Sequence, residues 1–353
     1  MHVKRWLAGA LVSGLVLGTV SAMAQTVGPA GEKATPSASV TLSDADIGSL
    51  KDKGYKAALL WHTSSDFTNA VGQGAKDEFK RAGIDVVVTT DAQFDAARQR
   101  SDIETALAAK PNIILALPLD PVTSAEAFRQ AVSDGAKLVF LSNVPKDYKH
   151  GTDYASIVTD DLYQMGKQAA DALAKSIGGK GKVGYIFHDA TYYVTNQRDQ
   201  AFKSTIEKDY PDIQIVAEQG ISDPARAEEL ANAMLLKNPD LDGIYVTWAE
   251  PADGVLAALR AAGNSKTKIV TLDLAEPVAL DMVKGGNVTA LVADKAYELG
   301  RAMAASGMKA LLKQETPAFV VAPALTVTKD NVSEGWKESL NRDAPKSVLD
   351  AAK

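Results

Sequence analysis

The chain has 353 residues, a formal net charge of −6, 46% hydrophobic residues and no cysteine. The acidic balance argues against nucleic-acid binding, which needs a basic face toward the phosphates. Without cysteine the fold has no disulfides, no thiolate metal sites and no cysteine-linked lipid anchor, so its stability must come from a hydrophobic core. This length predicts two domains.

The first 24 residues have the pattern of a secretory signal peptide. Lys4 and Arg5 precede an apolar run over residues 7–20, and the sequence Ala-Met-Ala at 22–24 places alanines at the cleavage positions. The apolar run is too short to span a bilayer with ease. We therefore expect cleavage after Ala24, export to the periplasm and no membrane insertion of the mature chain, with an uncleaved anchor as the alternative.

Apolar strands and amphipathic helices alternate from residue 56 onward. Before them, residues 25–53 are predicted to be a flexible leader with a short helix over 44–51 that Ser43 caps. The first run of elements ends near residue 141. Its predicted strands are 56–61, 84–89, 112–117 and 137–141, and its predicted helices are 67–82, 95–109 and 123–133.

The alternation restarts after a loop at residues 145–153. The second run has predicted strands at 156–159, 182–187, 213–218, 243–247, 269–272 and 288–292, and predicted helices at 162–177, 196–209, 224–236, 254–262, 278–283, 296–312 and 334–342. Strands separated by helices indicate βαβ units and parallel sheets. Two such runs predict an α/β fold of two doubly wound, Rossmann-like lobes, which bind ligands beyond the carboxyl ends of their strands.

Two strand ends of the first run carry candidate ligand-binding residues. They are Trp61, His62, Ser64, Ser65, Asp66 and Phe67 after the first strand, and Ser142 and Asn143 after the fourth. Hydroxyls, an amide and a helix N-terminus can bind an oxygen-rich ligand, and rings can cover its apolar face. Helix capping at the first loop and a plain turn at the second are the alternatives that the sequence leaves open.

Further candidates follow the strands of the second run. They are Asp189, Tyr192, Asn196, Arg198, Trp248, Glu250, Asp273 and Asp294. A guanidinium can clamp a ligand, an indole can stack on it, and carboxylates can accept protons from its hydroxyls. The sequence leaves alternatives open. Arg198 can be a surface charge, Trp248 can fill the core, and the aspartates can cap helices or pair with lysines.

Catalytic and cofactor motifs are missing from the sequence. His62 and His188 lack metal-ligand spacing, no glycine-rich phosphate loop precedes a helix, and there is no GxSxG elbow. We therefore predict a protein that is not an enzyme and that uses no cofactor and no metal. Glycoside hydrolysis by Asp273 and Asp294 as paired carboxylates is the enzymatic alternative.

Four stretches, read in order, give the chain a family resemblance. They are 58–67, 110–121, 238–245 with 254–260, and 269–273 with 286–293. Over residues 55–330 the chain resembles the type I periplasmic solute-binding proteins of the ribose-binding class. The resemblance implies a chain that crosses a three-strand hinge, with residues 54–158 and 295–323 in an N-terminal lobe and residues 159–294 and 324–353 in a C-terminal lobe.

The resemblance also implies a function. The expected protein is a monomer that captures a sugar or polyol between its lobes by hinge closure and delivers it to an inner-membrane ABC permease. An exported signal- or autoinducer-binding protein that reports to a receptor is the alternative. Arg198 and Asp273 match ligand-binding residues of the family, whereas Ser142, Asn143, Trp248 and Asp294 depart from the ribose pattern. Trp61 and Trp248, if both line the cleft, favour a ligand with an apolar CH face.

Overall fold

The computed structural model of the protein describes residues 26–190 and 192–353, so the predicted signal peptide lies outside the described residues. The strands are β1 (Thr35–Pro36), β2 (Lys56–Trp61), β3 (Asp85–Asp91), β4 (Ile113–Ala116), β5 (Lys137–Leu141), β6 (Ser156–Asp160), β7 (Gly181–His188), β8 (Ile213–Ile221), β9 (Gly243–Val246), β10 (Lys268–Leu272), β11 (Val288–Ala293), β12 (Phe319–Ala322) and β13 (Leu325–Val327). The helices are α1 (Asp44–Leu50), α2 (Asp66–Arg81), α3 (Ala96–Ala108), α4 (Pro121–Ser133), α5 (Leu162–Ser176), α6 (Tyr193–Asp209), α7 (Ala227–Lys237), α8 (Ala249–Ala261), α9 (Glu276–Val283), α10 (Ala296–Leu311), α11 (Val332–Leu340) and α12 (Lys346–Ala351).

These strands form two sheets, one in each lobe. The sheet of the first lobe has the order β1-β12-β6-β5-β4-β2-β3 and is parallel throughout. The sheet of the second lobe has the order β13-β11-β10-β9-β7-β8, and only its edge strand β13 runs antiparallel. Central strands such as β4 and β9 are buried at every position, as expected for sheets covered by helices on both faces. The predicted α/β fold of two doubly wound lobes is confirmed.

Two glycines let helices α2 and α10 approach closely. A Cβ added at Gly74 would overlap the carbonyl oxygen of Tyr297, and a Cβ added at Gly300 would overlap that of Val71. Backbone atoms cannot move aside as a flexible side chain can, so both positions require glycine.

We expect Gly300→Ala to lower the free energy of unfolding by about 1–3 kcal/mol, because the helices must separate to admit the methyl group. Gly48→Ala is the matched control, since Gly48 lies in α1 with nothing within 4 Å of an added Cβ. There the gain in helix propensity should stabilise the protein by about 0.5–1 kcal/mol. Urea unfolding of both variants measures the difference, and equal midpoints would contradict the close-packing argument.

The chain passes between the lobes three times. The passages lie at residues 160–161 between β6 and α5, at 294–295 between β11 and α10, and at 323–324 between β12 and β13. Hydrogen bonds link the first passage to the second and to the end of β12, just before the third. The backbone N–H of Asp161 donates to Ala322 O at 2.7 Å, and that of Lys295 donates to Asp160 Oδ1 at 3.2 Å.

The residues before β2 and after β13 pack on the lobes. Thr26 donates to Asp161 Oδ1 at 2.6 Å and accepts from the backbone N–H of Tyr163 at 2.9 Å. Residues 26–42 therefore lie along the first passage and β12, instead of remaining loose as the sequence predicted. At the other end, α11 buries Trp336 completely and contacts α2, α10 and β13.

Elements predicted from periodicity agree closely with the observed ones. The bounds of β2 and β5 are as predicted, and most other elements differ by one to three residues. Strands β1, β12 and β13 and helix α12 were not predicted. No helix among residues 26–190 and 192–353 combines the length and apolar character needed to cross a bilayer.

Candidate functional site

A cavity lies between the carboxyl ends of the two sheets. Its walls come from both lobes and from two of the passages between them. The lining residues are His62, Thr63, Ser65, Phe67, Phe94, Leu117, Leu119, Ser142 and Asn143 from the first lobe, Asp160 and Asp294 from the passages, and His188, Tyr192, Val194, Thr195, Arg198, Trp248, Glu250 and Asp273 from the second lobe.

The loop after β2 contributes a helix start to this cavity. Ser65 caps α2 by accepting from the backbone N–H of Thr68 at 3.3 Å, and its side chain also lines the cavity. Phe67, in the first turn of α2, is half-buried and lines the cavity as well. The capping and ligand-facing alternatives at Ser65 are therefore compatible with each other.

An aromatic pair covers one side of the first-lobe wall. The rings of His62 and Phe94 meet edge to face, with centroids 5.2 Å apart. Phe94 is presented by a turn in which Gln93 and Phe94 both have positive φ, of 53° and 58°. Burial lowers the pKa of His62 to about 4, so this ring is neutral at pH 7, and its Nδ1 has no hydrogen-bond partner among the described residues.

The turn after β5 joins the two lobes. Ser142 has a φ of 59° and shares a 2.9 Å hydrogen bond with the hydroxyl of Thr159. The neighbouring Asn143 donates to Pro118 O at 3.2 Å and accepts from the backbone N–H of Val194 at 3.3 Å. Since Val194 belongs to α6 of the second lobe, Asn143 makes a direct hydrogen bond between the lobes.

Arg198 forms the polar centre of the second-lobe wall. Its guanidinium donates to Asp273 Oδ1 at 3.3 Å and to Thr247 O at 3.1 Å, and the residue is 6% exposed. The carboxylate of Asp273 raises the pKa of Arg198 against the effect of desolvation, which alone would lower it. Nε of Arg198 has no hydrogen-bond partner among the described residues. A buried donor without a partner favours a ligand that supplies an oxygen.

Asp199, behind this wall, is held by three donors. Its carboxylate accepts from the hydroxyls of Tyr245 at 2.6 Å and Thr247 at 3.0 Å, and from the backbone N–H of His188 at 2.9 Å. This network fixes the start of α6 against β7 and β9. It therefore positions the neighbouring Arg198 without lining the cavity itself.

Aromatic rings complete the second-lobe wall. Trp248 is 6% exposed and meets His188 edge to face at 4.9 Å, and His188 in turn contacts Tyr192 at 5.0 Å. The Nδ1 of His188 is hydrogen-bonded to the hydroxyl of Thr195 at 2.8 Å. Burial and the nearby Arg198 charge lower the pKa of His188 to about 4, so it also is neutral at pH 7.

The floor of the cavity is rich in carboxyl groups. Asp160 and Asp294 are buried at the passages, 2% and 4% exposed. Burial raises the pKa of Asp160 to about 7, although its hydrogen bond to Asp294 acts in the opposite direction. Burial and the neighbouring charges of Asp273 and Asp160 raise the pKa of Asp294 well above its usual range. Glu250 is exposed at the rim, where partial desolvation and Asp273 raise its pKa as well.

Five predicted site residues lie outside the cavity lining: Trp61, Ser64, Asp66, Asp189 and Asn196. Trp61 is buried in the core, where its side chain faces Gly72 of α2. Asp66 forms an ion pair with Arg342 near the end of α11. The other three, Ser64, Asp189 and Asn196, are exposed to solvent. The idea that two tryptophans line the cleft is therefore wrong for Trp61.

Sequence reasoning did not include several lining residues among its candidates. They are Thr63, Phe94, Leu117, Leu119, Asp160, His188, Val194 and Thr195. Asp160 is a carboxylate at the end of a buried strand, which is the pattern that identified Asp273. It was missed because the predicted strand ended one residue too early, at residue 159. In the described ranges 26–190 and 192–353, the acidic and histidine side chains form no cluster suited to a metal ion.

Comparison with known proteins agrees with this architecture. A family model described as a periplasmic binding protein domain matches residues 57–315. The D-allose-binding periplasmic protein of Escherichia coli is 26% identical over 278 residues, which cover 75% of this chain and 86% of that protein. The xylitol-binding protein of Mycolicibacterium smegmatis is 26% identical over 271 residues, 74% of each chain.

A solved structure shares the fold. It is a carbohydrate-transporter solute-binding protein from Agrobacterium radiobacter in complex with D-arabinose, with a TM-score of 0.72 and 24% identity, covering 83% of this chain and all of that one. The family model spans most of the chain, and both lobes have a counterpart in the solved structure. The chain therefore belongs to the periplasmic binding protein family.

Proposed function

We propose that the protein is the periplasmic sugar- or polyol-binding component of an ABC importer. The observation that carries the proposal is the cavity between the lobes, where polar groups from both sheets meet aromatic rings. Hydroxyl groups both donate and accept hydrogen bonds, so a wall of guanidinium, amide, hydroxyl and carboxyl groups suits a polyhydroxylated ligand. Similar proteins are named for D-allose, xylitol and D-arabinose, which belong to this chemical class.

Capture follows from hinge closure at the three passages. The hydrogen bond between Asn143 and Val194 joins the lobes across the cavity. A ligand that contacts Ser142 on one lobe and Arg198 on the other adds further bridges and shifts the population toward the closed form. The closed form then docks on an inner-membrane permease, the partner that the importer role requires.

The proposed ligand contacts are those predicted residues that line the cavity. They are His62, Ser65, Phe67, Ser142, Asn143, Tyr192, Arg198, Trp248, Glu250, Asp273 and Asp294. Arg198 and Asp273 act as a pair, the first donating to ligand oxygens and the second accepting from ligand hydroxyls. The rings of Phe67 and Trp248 cover the apolar CH faces of the ligand.

A thermal-shift screen with D-allose, D-arabinose, xylitol and related sugars and polyols tests this function. A ligand that binds only the folded protein raises its melting temperature, by an amount that grows with ligand concentration above Kd. We expect at least one compound of this class to give a saturable increase, checked by isothermal titration calorimetry. If no sugar or polyol binds while the protein melts cooperatively, the proposal is refuted.

Trp248→Ala should weaken binding of the best compound by about 30-fold, which corresponds to the loss of about 2 kcal/mol of apolar contact. Trp248→Phe keeps a ring in the cavity and should retain most of the affinity. Titration calorimetry of both variants measures the difference. Leu236→Ala, at a position 85% exposed on the outer surface, is the control and should bind like the wild type.

A further inference from the structure

Acidic groups outnumber basic groups in the lining of the cavity. Four carboxyl groups line it, those of Asp160, Glu250, Asp273 and Asp294. Of the lining residues in the described part of the chain, only Arg198 carries a permanent positive charge, and Asp273 already pairs with it. An uncharged sugar offers these carboxyl groups no positive charge.

The histidines do not correct the imbalance. His62 and His188 both line the cavity, but burial holds the pKa of each at about 4. Both rings are therefore uncharged at neutral pH. Without a cationic partner, part of this acid is held in its protonated form, since burial raises the pKa of Asp160 to about 7 and that of Asp294 well above its usual range.

Two other features of the walls define what the ligand must carry. Arg198 is only 6% exposed, and its Nε has no partner in the part of the chain that the structure describes, so the ligand must offer an oxygen acceptor. Four aromatic side chains, Phe67, Phe94, Tyr192 and Trp248, line the same space. Aromatic faces attract cations, most strongly when the cation is removed from water.

Building on the proposed function, we propose that the preferred ligand is a polyhydroxylated primary amine, such as an amino sugar or amino polyol, bound as its ammonium ion. The ammonium group carries three donors and no acceptor, which matches a floor of carboxyl oxygens. The hydroxyl groups of the same ligand supply the oxygen that Arg198 Nε requires. Glu250, at the exposed rim, adds negative potential at the entrance that attracts a cation from solution.

Matched ligand pairs test this preference. D-glucosamine is compared with D-glucose and N-acetyl-D-glucosamine, and 1-amino-1-deoxy-D-sorbitol with D-sorbitol, by calorimetry at pH 7.5. We expect an amine to bind at least ten times more tightly than its neutral counterparts. If a neutral counterpart binds as tightly, the inference is overturned while the proposed function stands. If neither the amines nor any neutral sugar or polyol binds, both are overturned.

Carboxyl-to-amide variants locate the contact. Glu250→Gln and Asp294→Asn should each weaken binding of the amine at least five-fold more than binding of its neutral counterpart. Asp189→Asn is the control, because Asp189 is exposed nearby but does not line the cavity. An unchanged preference in both cavity variants would overturn the assignment even if the wild type prefers amines.

Proton release gives an independent measurement. An ammonium ion stabilises ionised carboxylates, so its binding should expel protons from Asp160 and Asp294, whereas a neutral ligand should expel none. Titrations in two buffers of different ionisation enthalpy count the protons. The other titratable groups facing the cavity are His62, His188, Tyr192, Asp273 and Glu250, with Arg198 as the fixed charge. Equal proton release for both ligand classes would contradict the inference.

Discussion

Arg198→Ala is expected to weaken binding of any sugar, polyol or amino derivative by at least about 100-fold. Arg198 lies in the buried wall of the cavity, where it donates to Asp273, and its Nε has no hydrogen-bond partner among the described residues. Truncating a buried, hydrogen-bonded charge costs about 2–5 kcal/mol, and part of that cost is the acid left unpaired. Titration calorimetry with the best ligand of the wild type measures the loss.

Stability must be separated from binding in this experiment. Without Arg198 the carboxyl group of Asp273 loses its ion-pair partner, so the alanine variant should also unfold at lower urea concentration. Arg198→Lys retains the charge but not the planar fork, and it should fold well and still bind at least ten-fold more weakly. Arg226→Ala removes an exposed arginine paired with Glu229 and should bind normally. Normal binding by Arg198→Lys would show that the fork makes no ligand contact.

The fold could be predicted from the sequence because its strands are apolar throughout and its helices are amphipathic. The strand Lys56–Trp61 is buried at every position but the first, and such a run reads as a central parallel strand. Strands β12 and β13 were not predicted because the alternation of strand and helix is interrupted there. Only two residues separate β12 from β13, and both strands are short, so no helix marks their boundaries.

The site was predicted in part because parallel strands bring their carboxyl ends together. That rule brought Arg198 and Asp273 into one predicted site although they are 75 residues apart in sequence, and the structure shows that they form a pair. It cannot give the direction of a side chain. Trp61 is the last residue of its strand and faces the covering helix instead of the cavity. The pair Thr195 and Arg198 is one helical turn apart and faces the cavity, whereas Asn196 is rotated by about 100° on α6 and faces solvent.

Other contacts depend on backbone conformations that residue types encode weakly. Gln93 and Phe94 both adopt positive φ, which aims the ring of Phe94 at His62. Ser142 and Asp273, at equivalent strand ends in the two lobes, also have positive φ, of 59° and 66°. Left-handed backbone at residues other than glycine is uncommon and collects at binding sites, where tertiary contacts enforce it.

Asp294→Asn is expected to change how stability depends on pH. In the folded protein burial and the neighbouring charges of Asp273 and Asp160 raise the pKa of Asp294 well above its ordinary value of 3.8. Between the ordinary and the raised value the folded state holds a proton that the unfolded state has lost, so stability falls as pH rises through this window.

The asparagine amide can still donate to Asp160 and has no proton to lose, so the part of this pH dependence that Asp294 contributes should disappear. Urea unfolding of both proteins at pH 5 and pH 8 gives the test. The variant should gain stability relative to the wild type at the higher pH. His62 and His188 have lowered pKa values and destabilise the fold in acid, but they are present in both proteins and cancel in the comparison. Asp189→Asn should show no such gain, and a pH-independent difference for Asp294→Asn would mean that the two buried aspartates at the passages do not share a proton.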